Sequence, residues 1–474
     1  MRKSVLALVG LLAALSLVLA ACATPTPEVV ERTVEVTTVV EEEVEVTAEP
    51  TEAGPVTEVR WFIGLGTGTN PEHQPVQELY VEAFNASHDD IELVLEVVPN
   101  DVAFDTLKTQ LAGGDAPDIV GPVGVRGSNE FPDVWLDLDP YLADYDMSDF
   151  SEGAIDGWRM GDRGLIGLAV GVYPSAIYVN KDLFDEAGLD YPPQEYGEPY
   201  ADGDEWNVDK ARELAMQLTV DANGNDATMD GFDSENIVQY GWNFQWTDPR
   251  GLATVWGAGN FVDDEGNAYM PDHWRTAFDW YYNGMWEDFF IPNGPARGSD
   301  LMASGNPFGS GNLAMAHCHT WYTCCLGDVA NWDYAVVPSY EGEATAKLHT
   351  DMVGVMNTTE NPEAAVEVVY DIATSPQLIS AWGVLPAKES LQDDFIASLQ
   401  ADFPDVNFDV ALAGLNHVDV PNHEAFMPNF AQADDRVKEL DSTLQQTPDL
   451  DLDAALDEFV SDMQEIFDAA DAGE

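Results

Sequence analysis

The chain has 474 residues and carries 87 acidic against only 18 basic side chains, a formal net charge of −69. Such a field repels phosphate backbones and anionic headgroups, which argues against nucleic-acid and polyanion binding. The length beyond the N-terminal region exceeds that of a typical single domain and points to two lobes.

In chain order, Arg2 and Lys3 precede an apolar run over 5–21, interrupted only by Gly10 and Ser16. The run ends in Leu19-Ala20-Ala21-Cys22, small residues before a cysteine. This pattern resembles a bacterial lipoprotein signal: residues 1–21 are removed and Cys22 is lipidated, which puts the rest of the chain outside the cytoplasm on the cell membrane. The alternative is an uncleaved membrane anchor. Residues 22–55 are rich in Thr, Val, Glu and Pro without aromatic residues. Their density of like charge predicts a disordered tether. No later segment is long and apolar enough to span a bilayer.

Strand-like Glu58-Val59-Arg60-Trp61-Phe62-Ile63 is followed by a glycine-rich turn over 64–68. Val76, Leu79, Tyr80 and Phe84 recur near helical spacing over 74–85. A second strand is predicted over 91–98. A second helix carries Phe104, Leu107 and Leu111 and stops at Gly113-Gly114; a third strand starts at Asp118. This β-α-β-α-β order implies a parallel sheet with helices on both faces, an α/β fold. Further strands are predicted over 165–170, 176–179 and 332–338, and helices over 361–375, 435–445 and 452–470.

Open α/β sheets place ligands beyond the carboxyl ends of their strands. Trp61 and Phe62 end the first strand, so both are candidates, with core packing as the alternative. Thirteen Trp, 16 Tyr and 20 Phe can furnish ring faces for the apolar faces of a ligand. Trp242 and Trp246, spaced by four, are candidates of this kind. Asp351 is a candidate acceptor for hydroxyl groups, whereas Trp256 and Trp382 read as core.

Cys318, Cys324 and Cys325 lie within His317-Cys318-His319-Thr320-Trp321-Tyr322-Thr323-Cys324-Cys325. Outside the cytoplasm a disulfide is expected. Pairing of Cys318 with Cys324 or Cys325 would close a loop around Trp321; a 324–325 bridge or a His/Cys metal site are the alternatives. Asp221, Asn223 and Asn225 partly match the start of a calcium loop, but Asp226 stands where Gly is usual and Phe232 where a bidentate Glu belongs. An Asn-Gly surface turn is the competing reading, and no other cofactor is indicated.

Five motifs in order resemble the solute-binding proteins of carbohydrate ABC importers, of the maltose-binding-protein type. They are Ala112-Gly113-Gly114-Asp115-Ala116-Pro117-Asp118-Ile119; Tyr178-Val179-Asn180-Lys181-Asp182-Leu183-Phe184 with Ala187-Gly188-Leu189; Ser304-Gly305 with Gly311-Asn312-Leu313-Ala314-Met315; Asn361-Pro362-Glu363-Ala364-Ala365; and Gly383-Val384-Leu385-Pro386-Ala387. The resemblance implies a two-lobed periplasmic-binding-protein-like fold of type II, each lobe a mainly parallel sheet flanked by helices, with hinge crossings. It implies one lobe over 57–140 plus 339–376 and another over 141–338 plus 377–474, with Asp137-Leu138-Asp139-Pro140 at the first crossing. It also implies ligand-facing roles for Tyr173, Trp321 with Tyr322, and the Phe426-Met427-Pro428-Asn429 loop. Function follows as capture of a sugar or oligosaccharide by a monomer, without turnover, and delivery to permease subunits. The alternatives are a receptor for a polyamine, peptide, metal or glycerol phosphate, or a secreted glycoside hydrolase. Carboxylate pairs carry little information at this acidity, and no nucleophile elbow, HExxH or phosphate loop occurs.

Overall fold

A computed structural model of the chain describes residues 56–472 except 151, 161, 162, 264 and 328. The signal, Cys22 and tether readings lie outside the described residues. Among the described residues no helix is long and apolar enough to cross a membrane.

Among the described residues ten strands form: β1 (Thr57–Ile63), β2 (Ile91–Val97), β3 (Ile119–Gly124), β4 (Leu168–Asn180), β5 (Val220–Asp221), β6 (Ile237–Phe244), β7 (Leu313–His319), β8 (Trp332–Ala335), β9 (Leu348–Val355) and β10 (Leu385–Pro386). Their order is β2-β1-β3-β9-β4-β7-β6-β5, with β8 and β10 also on β4. The opening β-α-β-α-β reading holds: β1 pairs in parallel with both β2 and β3. Strand β9 runs antiparallel to β3 and to β4, so β4 points the same way as β1, β2 and β3. Beyond β4, β7 is antiparallel to it and parallel to β6.

The helix Gln74–Ser87 packs on this sheet through Gln77, Tyr80 and Phe84. Leu79, expected inward, is 56% exposed. Gln77 takes the inner position because its amide donates to the Gly68 carbonyl at 3.0 Å, satisfying a buried polar group. Gly68 itself has φ +102, and a Cβ there would meet the Gln77 amide at 2.7 Å. The helix Asn100–Gly113 ends at Gly114 in the left-handed conformation, as the glycine pair predicts.

Strand β4 differs from the sequence reading. Two strands were expected; one strand of 13 residues runs through, buried along its whole length. Its first half pairs with β9 as far as Pro174, and from Ser175 onward it pairs with β7. Pro174 therefore falls where the partner strand changes, a position where a missing N–H is tolerated.

Two separate apolar cores result. Val59, Trp61, Leu93, Trp158, Tyr173, Leu348 and Trp382 belong to the first. Ala176, Trp242, Trp274, Tyr322, Ala346 and Phe459 belong to the second. Core membership therefore changes between Tyr173 and Ala176, between Ala346 and Leu348, and again between Ala387 and Val406. These positions are later than the 140/141, 338/339 and 376/377 divisions implied by the resemblance; past the first of those divisions, Leu142, Phe150 and Trp158 still pack in the first core. Ile396, on the helix Gln392–Asp402, packs against both cores.

Candidate functional site

The ends of β1 and β3, the middle of β4 and the start of β9 converge on a cleft of about 1010 Å³. One wall comes from first-core elements: the turn after β1, Phe104, the segment from Gly124 to Glu130, and Trp382. The opposite wall is Trp321, Thr323 and Cys324, on the turn that follows β7. Tyr173, His349, Asp351 and Glu424 form the floor. Trp321 packs against both cores, so the cleft lies between them.

The floor is a connected polar array. Thr67 donates its hydroxyl hydrogen to Asp351 at 3.0 Å. His349 sits between two carboxylates, with Nδ1 2.7 Å from Glu424 Oε2 and Nε2 3.4 Å from Asp351 Oδ1. Burial opposes charging of His349, yet Glu424 and Asp351 hold its pKa well above the ordinary range. For Glu424 burial acts upward, but His349 beside it brings the carboxyl down to about 2. Burial, and then the Asp351 charge, raise the Tyr173 phenol. Gly124 lets the array close: a Cβ there would lie 2.7 Å from the His349 ring.

Two further contacts tie the sides together. Arg126 pairs with Asp434, and the Asn129 amide donates to the Glu424 carbonyl at 2.9 Å. At the aromatic wall Trp321 stacks on Trp246, with centroids 6.0 Å apart and planes within 9°. The Trp382 indole N–H is buried in the opposite wall with no hydrogen-bond partner among the described residues.

Of the residues singled out from sequence, Tyr173, Trp321 and Asp351 line the cleft. Trp246 is 46% exposed and backs Trp321. The others lie elsewhere. Trp61 is fully buried, donates its indole N–H to the Gly121 carbonyl at 2.8 Å and packs edge-to-face on Tyr80 and Trp382. Phe62 shares that core. Trp242 packs against Phe244 and Trp280 in the second core. Tyr322 is buried and donates to Asn306. Phe426 packs on the second core under the Arg163 guanidinium. The Asn429 amide donates to Gln432 at the start of the helix Phe430–Gln446. The cleft lies beyond the ends of β1 and β3, and the turn after β1 supplies its lining instead of the strand's last side chains.

Sequence reading missed His349, Glu424, Arg126 and the cleft role of Trp382. His349 had a signal: it stands two residues before Asp351, on the same face of one strand. Glu424 arrives from a distant loop, with nothing local to announce it.

The disulfide joins Cys324 to Cys325, the alternative pairing. Cys318 is free and fully buried in the second core, whereas Cys324 is exposed at the cleft, so the expected bridge around Trp321 is not made. The Asp221 carboxylate accepts from the backbone N–H groups of Asn223, Asn225 and Asp233 at 2.7–2.9 Å. Those donors satisfy the charge as a turn does, and the Asn225 side chain offers its NH₂. Among the described residues no group of three or more His, Cys, Asp or Glu side chains is placed to hold a metal ion.

Comparison with known proteins agrees with this architecture. The Listeria monocytogenes ABC substrate-binding protein Lmo0181, solved in complex with cycloalternan, superposes with a TM-score of 0.64 at 18% identity, over 86% of this chain and 98% of that one. The sugar-binding protein MalE of Xanthomonas citri gives 0.65 at 18%, over 87% and 98%. The GacH receptor of Streptomyces glaucescens, solved unliganded and with acarbose, gives 0.62 at 16%, over 88% and 99%. A Brucella abortus protein provisionally named a binding protein is 33% identical over 130 residues, 27% of this chain; the match spans about a third of that relative, 31% of its length. The family model for bacterial extracellular solute-binding proteins matches residues 66–377, and the chain belongs to that family.

Proposed function

We propose that the chain captures a sugar or oligosaccharide in this cleft, outside the cytoplasmic membrane, and presents it to the permease of an ABC importer. It acts as a monomer held at the membrane by lipidated Cys22. The observation that carries the reading is the pairing of an indole platform, Trp321 on Trp246, with a floor of fixed acceptors and donors at Tyr173, Asp351 and His349. A pyranose needs both: C–H faces lie on rings, and hydroxyls find oriented partners. Among the three structural neighbours one is described as a sugar-binding protein and two were solved with cycloalternan or acarbose, which supports that ligand class. Closure of the two cores around the ligand follows the hinge behaviour of two-lobed receptors.

The floor also argues against turnover. His349 is clamped as a cation between two carboxylates and offers no lone pair to a nucleophile. The Thr67 hydroxyl donates to Asp351, a carboxylate that already faces His349.

A thermal-shift panel of mono- and oligosaccharides, polyamines and glycerol phosphate tests the reading. A sugar at a hundredfold excess over its Kd stabilises the chain by about 2.7 kcal/mol. A shift with polyamine or phosphate alone refutes the carbohydrate assignment, and release of reducing ends from a polysaccharide refutes the receptor. Retention of the Cys22→Ala variant in the membrane fraction refutes the lipid anchor.

A further inference from the structure

The bond between the adjacent Cys324 and Cys325 closes a small ring through their shared peptide, and nothing above uses it. Its two ends face different surroundings. Cys325 packs against the second core, and its carbonyl accepts from the Asn306 amide at 2.9 Å. Asn306 is itself held by Gln245 at 3.0 Å and by the Tyr322 hydroxyl. Cys324 is exposed and lines the cleft beside Trp321 and Thr323. Leu65, Phe104 and Trp382 also line this cleft, on its first-core wall. A disulfide at such a place presents polarizable sulfur with no hydrogen-bond donor, a surface suited to C–H groups and ring edges. It also fixes the turn that carries Trp321.

We propose that the Cys324–Cys325 ring is a ligand-contacting surface of the cleft that extends the Trp321 platform along the apolar face of a bound sugar, and that reducing it converts the site to a low-affinity form. The inference rests on the carbohydrate reading for its ligand. The reduction is a thiol–disulfide exchange with a dithiol. One thiolate of the reagent attacks Sγ of the exposed Cys324, and the S–S bond breaks with Cys325 as leaving thiolate. The second thiol of the reagent then closes on its first sulfur and releases Cys324. Two electrons and two protons pass to the cysteines, and the reagent leaves as its own disulfide. Two thiols replace the ring, and the segment Thr320–Cys325 loses its covalent constraint. Cys318 takes no part: it is fully buried, and burial pushes its thiol up to about 12.

The test compares the full mature chain oxidised, reduced with dithiothreitol, as the Cys324→Ser/Cys325→Ser double variant, and as the Cys318→Ala control. Maltotriose affinity by calorimetry and amide hydrogen exchange over residues 319–327 are read on each. Reduction weakens maltotriose binding at least tenfold and raises exchange in that segment. The double variant behaves as the reduced chain with or without reagent, and the control behaves as the oxidised chain. Unchanged affinity on reduction, unchanged exchange over 319–327, or recovery of Cys324 and Cys325 as free thiols from the oxidised chain overturns the inference. Failure of the oxidised chain to bind any sugar of the panel instead counts against the carbohydrate reading, and the exchange measurement still decides the role of the ring.

Discussion

Lys347 lies between Ala346 of one core and Leu348 of the other, fully buried, and its ammonium has no hydrogen-bond partner among the described residues. Burial lowers its pKa from 10.5 to about 8; Cys318 and the carboxylates of Asp248, Glu424 and Asp419 offset only part of that. Between those values the unfolded chain keeps a proton that the folded chain has lost, so stability rises with pH. The contribution is fully present above 10.5 and lost as pH falls through 8. At pH 7 the folded state therefore carries a penalty of about 3 kcal/mol. Replacing Lys347 by Met keeps an unbranched side chain one heavy atom shorter and removes the charge. Urea denaturation at a series of pH values from 6 to 10.5 reads the difference between the two proteins, in which all other titrations cancel to first order. The variant is expected to be about 3 kcal/mol more stable at pH 7, the gap closing toward pH 10.5. An equal or lower stability of Lys347→Met at pH 7, or a gap independent of pH, refutes the reasoning and shows that the ammonium is paired.

Trp321→Ala removes the platform and is expected to cost about 1–2 kcal/mol of sugar affinity, roughly tenfold, by calorimetry, with a small effect on the melting temperature. Trp61→Ala does the reverse: about 3–5 kcal/mol of stability is lost in urea, and the folded fraction binds as before. Glu424, held at about 2 against an ordinary 4.5, contributes stability that is present above 4.5 and lost as pH falls through 2. Urea midpoints between pH 6 and 2 should therefore fall more for the native chain than for Glu424→Gln, by about 3 kcal/mol over the range. A chelator should leave the melting temperature unchanged, whereas Asp221→Ala should cost about 1–3 kcal/mol by orphaning three backbone N–H groups.

The elements most legible in the sequence are those whose apolar period meets a single environment. The helix Asn100–Gly113 buries Leu107 and stops at a glycine, and both features are local. Strand β4 was illegible for a tertiary reason: burial on both faces removes the alternation, and Pro174 looks like a terminator until the change of partner strand is known. Ligand-facing aromatics pose the same difficulty. Trp61 and Trp382 touch edge-to-face at 6.3 Å, yet only Trp382 reaches the cleft. Nothing in either local sequence separates them, because the difference lies in which side of one core each ring faces. The cysteine spacing offered both a 318 pairing and the 324–325 bridge, and the choice between them was not legible, because the burial of Cys318 in β7 is a fact of packing.

The bulk acidity of the chain and the chemistry of its cleft are separate matters. A net charge of −69 invites the expectation of a cationic guest. The carboxylates of the floor, however, are already engaged. Asp351 accepts from Thr67 and faces His349, Glu424 holds the other side of the same imidazolium, and Asp434 near the rim is taken by Arg126 and Lys438. An amine entering the cleft would have to compete with an internal cation that is covalently tethered and already desolvated, an unequal contest. A hydroxyl group meets no such rival. It can donate to carboxylate lone pairs that His349 leaves open, without displacing any charge. Pairing the charges at the floor is therefore what leaves the cleft of an intensely acidic protein open to the neutral polar ligand proposed for it.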